Sequence, residues 1–129
     1  MSALTVLHKS GQIQVLLHHV YEYRKGVRGL VLDTLNTREQ DKVKEILDRK
    51  GISYFIQPVG SNKINVFFGK EECVRIVKSF GNKPLSQFTN EEDFILGIML
   101  GYDLDRQYSR YIQRKEIKTK QKMSHVQNY

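Results

Sequence analysis

Tyr21, Tyr23, Arg24, Lys25 and Arg28 crowd into one short stretch and have the widest chemical scope in the chain. Aromatic rings set among cations can stack on bases or on an isoalloxazine ring, while the cations hold phosphate. With His19 they define a candidate interaction patch: His19, Tyr21, Arg24, Lys25 and Arg28. The same residues also have a purely structural reading. Tyr23 continues an inward helical face, Glu22 sits among the cations, and cations in a last helical turn are favoured by the helix dipole without any ligand.

Other reactive side chains are scattered. His18 and His19 are adjacent, so on a helix they diverge by about 100° and cannot clasp one metal as an i, i+4 pair would. His8 and His125 lie near the two ends, and Cys73 is the only cysteine. No metal or cofactor site is expected from so few ligands. Cys73 falls on an apolar helical stripe (Cys73, Ile76, Val77, Phe80), where a thiol behaves as a small hydrophobe. A reactive thiol needs exposure and a positive setting. No acid, base and nucleophile can be assembled at defensible spacing, so no enzyme is expected.

Glu91 to Asp103 joins an acidic start, an apolar run and two glycines four residues apart. This predicts a helix buried nearly all round, its first turn stabilised by anions. Gly97 and Gly101 are its expected close-packing glycines, against the first helix or a second copy.

The positioning elements follow from periodicity. Ile13, Leu16, Leu17 and Val20 predict a helix over 12–25 ending at Gly26. Leu30–Leu32 with Leu35 reads as a strand buried on both faces. Thr37 with Gln40 is a capping-box pattern ahead of Val43, Ile46 and Leu47, in a helix that Gly51 ends. Residues 52–57, closed by Pro58, and 64–68 form a hairpin across the turn at Gly60–Lys63. A third helix carries Cys73 and stops at Gly81. Thr89 with Glu92 caps the buried helix, and Leu104, Tyr108, Tyr111 and Ile112 mark a fifth. The fold class is α+β, with a small three-stranded mixed sheet of order 1-3-2 and about five helices in the order α-β-α-β-β-α-α-α. A right-handed crossover makes the first two strands parallel, with helices two and three on one face and the terminal helices covering the rest. So narrow a sheet has exposed edges, and a homodimer is the simplest cover for them.

The composition is that of one ordinary globular domain, 129 residues with 27% charged side chains and a net charge of +7. Five basic residues from Arg114 onward face only Glu116. The periodicity fades there, so the expectation is a single domain over 1–114 and a basic, disordered tail over 115–129. No secretory signal or membrane span is expected, and a lone cysteine fits a reducing cytoplasm.

The block from His18 to Arg28, together with residues 92–111, resembles a family of short bacterial proteins known only as domain of unknown function number two-thousand-and-twenty-three. The resemblance covers roughly residues 13–113. It implies an α+β fold with three strands and about five helices, a dimer, and no established activity. Members encoded beside flavodoxin in some bacteria add a hint of redox partnership. The expected function is a non-enzymatic accessory protein that binds an acidic partner such as flavodoxin. The alternative is a nucleic-acid or nucleotide binder using the same patch and the tail.

Overall fold

Ser10 opens the first helix: its Oγ accepts from the Ile13 N–H at 3.1 Å, satisfying one of the donors that a helix N-terminus leaves over. The computed structural model describes residues 10–127; residues 1–9, with His8, and residues 128–129 lie outside that range, as do the side chains from 124 on, His125 among them. The chain divides between Asn82 and Lys83 into two compact units. The first holds α1 (Gly11–Arg24), β1 (Leu30–Asn36), α2 (Gln40–Arg49), β2 (Ser53–Val59), β3 (Lys63–Gly69) and α3 (Glu71–Ser79). The second holds α4 (Asn90–Met99) and α5 (Leu104–Gln127).

The sheet order is β1-β3-β2, as expected. Both ladders are antiparallel, with Leu30 opposite Gly69 and Leu35 opposite Ile64 in one, Ser53 opposite Gly69 and Val59 opposite Lys63 in the other. β1 and β2 therefore run parallel to each other but never pair, because β3 lies between them. Pro58 sits inside β2 rather than closing it, which an edge strand tolerates because its missing N–H need not face a partner.

One core cluster gathers Ile13, Leu16 and Val20 of α1, Val43 and Leu47 of α2, and Val31, Leu35, Ile64, Val66 and Phe68 from one face of the sheet. Strand alternation places Leu30, Phe55 and Phe67 on the other face, where the Phe55 and Phe67 rings stack at 6.0 Å. The cluster does not include Val74 and Val77, the buried residues of α3. α1 and α2 thus share one face and α3 covers the other, which corrects the placement of helices two and three together. The stripe of α3 is also corrected. Val74 and Val77 point inward, Cys73 and Phe80 are half-buried, and Ile76 is exposed.

Two local expectations around α2 part company. Gly51 ends the helix with φ +67, but Thr37 makes no capping box. A 3-10 turn over Thr37–Glu39 precedes α2, so Thr37 stands inside the turn, and its N–H donates to the Asn62 carbonyl at 2.9 Å.

In the second unit the Thr89 capping box is complete. Thr89 Oγ1 accepts from the Glu92 N–H at 3.1 Å, and Glu92 Oε1 accepts from the Thr89 N–H at 2.8 Å. α4 is not buried all round: Leu96 and Gly97 are buried, while Ile95 and Ile98 are exposed. On α5 the expected inward residues Leu104, Tyr108 and Ile112 are exposed, and among its described side chains the buried one is Gln107. α5 then continues through residue 114 to Gln127, so the described part of the segment expected to be disordered is helical. Its lysines, Glu116 and its glutamines are good helix formers, and a packed first half supplies the nucleus they extend.

Candidate functional site

The patch is assembled at the C-terminal end of α1, where each member has a local partner. Lys25 Nζ lies 4.6 Å above the Tyr21 ring, and Tyr21 is exposed. Arg24 Nη2 donates to the Lys50 carbonyl at 2.9 Å, satisfying an acceptor at the end of α2, where a cation also suits the helix dipole. Arg24 thus has a structural task as well as a surface charge. Tyr23 turns inward, edge-on to Phe68 at 6.2 Å.

His19 and Arg28 meet behind this surface, with Arg28 Nη2 3.4 Å from His19 Nδ1. His18 is the wetter histidine and reaches Glu22 Oε1 at 3.1 Å. Arg28 Nε is buried without a hydrogen-bond partner among the described residues, and so is Asp33 Oδ2. Burial pushes the Asp33 carboxyl above the usual carboxylate range, against the pull of the nearby His19 charge and the Thr34 N–H. Sequence reasoning missed Asp33, although a lone acid inside the run Leu30–Asn36 was a visible signal.

Beside this cluster opens a recess of about 360 Å³ lined by Tyr23, Arg24, Gly26, Arg28, Gly29 and Lys70. Two of the patch residues, Arg24 and Arg28, line it, while His19, Tyr21 and Lys25 do not. Three of its six lining residues are cations and none is an acid, so its potential is positive. The floor depends on two glycines. Gly69, at φ +147, brings the end of β3 so close to the Gly29 carbonyl that any Cβ there would collide with it. The Lys70 N–H then donates to Gly29 O at 2.9 Å. Lys70, Gly29 and Gly69 were not singled out from sequence, yet a strand running through Gly–Lys into a helix is a local pattern associated with oxyanions.

Cys73 lies next to this floor, since a Cβ at Gly29 would come within 3.1 Å of its Sγ. Burial pushes the thiol above its ordinary range, with Lys70 pulling it down and Glu72 adding to the rise. That is the setting of an unactivated thiol. Among the described residues no group of three metal-ligating side chains could hold an ion, and no helix is long and apolar enough to cross a membrane.

The glycines of the second unit separate in role. Gly97 packs directly against Gln107 of α5, so its close neighbour is the next helix in sequence. Gly101 takes φ +78 just past α4 and acts as the helix terminator.

The family model described as Protein of unknown function (DUF2023) matches residues 14–114. The chain belongs to the DUF2023 family. No curated protein matches it. The DUF2023 span takes in every residue lining the recess, and it ends at Arg114 inside α5.

Proposed function

We propose that this DUF2023 protein is a non-enzymatic binding module of the bacterial cytoplasm that docks an acidic protein partner, a flavodoxin-type electron carrier being the first candidate. The observation that carries this reading is the gathering of Arg24, Lys25, Arg28 and Lys70 around one end of the sheet, with Tyr21 exposed beside them and no acid lining the recess. Such a surface steers an acidic partner and slows its escape, with an amphipathic ring to anchor the contact. Flavodoxin itself enters through the family resemblance.

A second reading, single-stranded nucleic acid, is favoured by the exposed cations Lys118, Lys120 and Lys122 on the second half of α5. The two readings separate in one experiment. Labelled oligonucleotide and flavodoxin are titrated in turn at about 50 and about 200 mM salt, the range in which phosphate contacts lose most affinity. Docking predicts flavodoxin binding that weakens severalfold in Lys25→Glu through slower association, and is indifferent to removal of residues 115–129. Oligonucleotide binding whose salt slope flattens on that removal, with no flavodoxin signal, overturns it.

We also propose that the protein is a homodimer. Helical geometry puts Ile95 and Ile98 of α4 on the same flank of the α4–α5 hairpin as Leu104, Tyr108 and Ile112 of α5, and all five are exposed. A second copy is the simplest cover for that flank.

A further inference from the structure

We infer that the recess between the end of α1 and the start of α3 is a binding site for a small, soluble phosphate monoester. Its three cations come from separate stretches: Arg24 ends α1, Arg28 precedes β1, and Lys70 precedes α3. Their convergence is a product of the fold, and like charges held around an acid-free hollow repel one another unless an anion sits between them. A doubly charged group with three terminal oxygens matches three converging cations, and a planar guanidinium can bind two of those oxygens at once.

Two further features point the same way. The Arg28 Nε is buried with no partner among the described residues, a state that folds ordinarily avoid. Lys70 stands at the N-cap of the nine-residue α3 without a side-chain cap, so the positive end of that helix adds to the lysine charge at the rim. Glu71 and Glu72 occupy its first turn but do not line the recess. Gly26 and Gly29 put no side chain into the hollow, and the Lys70 stem lies over Gly29, where a Cβ would sit 3.6 Å from its Cδ. A volume of about 360 Å³ is enough for a small phosphorylated molecule.

The site shares Arg24, Arg28 and Lys70 with the proposed docking surface, and the test keeps the two apart. The full chain is titrated with glycerol phosphate and with inorganic phosphate, following backbone amide shifts. Saturable binding is expected, with a Kd of about 1 mM or tighter, and the shifts should centre on Gly26, Gly29 and Lys70. Glycerol alone should shift nothing. Lys70→Ala removes an exposed side chain, so it should fold, and it should weaken binding about tenfold, as should Arg28→Lys. Lys44→Ala, which removes an exposed charge on α2 outside the recess, should change affinity by no more than about twofold. Lys25→Glu should impair docking and leave phosphate binding intact, whereas Lys70→Ala should lose the phosphate first. Absence of saturation, or an equal loss in Lys44→Ala and Lys70→Ala, overturns the site. Capture by vesicles carrying phosphatidic acid that glycerol phosphate cannot compete away overturns the assignment to a soluble ligand.

Discussion

Gln107 occupies the space that a side chain at position 97 would need. A helical Cβ leans over the turn before it, so Gly97 uncovers the carbonyls of Asp93 and Phe94. Gln107 Nε2 donates to both, at 3.1 and 3.4 Å. A buried amide thereby finds acceptors on a backbone that any other residue would screen, and α4 and α5 are pinned at this point.

Gly97→Ala should therefore destabilise the protein by about 1–3 kcal/mol, through overpacking and the lost amide contacts. Gln107→Ala should cost a similar amount, since it leaves a void. The double variant should cost clearly less than the two single losses together, because both remove one interaction. Denaturant melts of the four proteins check this, and strict additivity would sink the coupling.

Asp93 should support stability only while ionised. Burial pushes its carboxyl up, but hydrogen bonds from Arg110 and Arg114 outweigh this and hold it below its ordinary value of 3.8. Arg110 Nε and Arg114 Nη1 each lie 2.9 Å from Asp93 Oδ2. A depressed carboxylate contributes fully above the unfolded-state pKa, and the contribution fades as pH falls through the folded one. Asp93→Asn should cost roughly 1 kcal/mol at pH 7, given partly exposed arginines. The gap to the parent should close below about pH 4 in urea melts.

Asp33 should behave in the opposite sense. With its carboxyl raised by burial, the folded state binds the proton more readily than the unfolded one, so ionisation erodes stability as pH rises through the raised value. Asp33→Asn should raise the melting temperature at pH 7, and the gain should vanish once both forms are neutral in acid. A variant less stable at pH 7 would mean that the attraction of His19 and of the Thr34 N–H outweighs burial.

The proposed homodimer is assigned to the exposed flank of the hairpin. Replacing Ile98 and Ile112 with lysine should shift sedimentation toward the monomer without loss of helical signal, because neither side chain is in the core. A parent that already sediments as a monomer at tens of micromolar would dismiss the second copy.

Much of the second unit was legible locally, and its errors are instructive. Thr89 and Glu92 lie within one turn, so the capping box could be read directly. Gln107 could not: a glutamine among Leu104, Tyr108 and Ile112 looks like the solvent side, and only the missing Cβ of Gly97, ten residues earlier, makes it the buried one. The apolar stripe of α3 failed for a related reason. Cys73–Ile76–Val77–Phe80 and the Val74–Val77 pair are both periodic, and packing against the sheet selected the valines.

Sequence alone determined what lies within a few residues along the chain: the cap at Thr89, the stops at Gly26 and Gly51, the strand runs, and the β2–β3 hairpin across its short turn. Helical and strand periodicities repeat over two to four residues, and glycine's freedom at positive φ acts at a single position. The tertiary structure decided which sheet face each helix covers, which flank of α4 meets α5, and that Lys70 joins Arg24 and Arg28 around one recess. Residues 24 and 70 are brought together only through the Gly29–Gly69 crossing at the end of the β1–β3 ladder. Long-range register sets that meeting, and no local pattern encodes it.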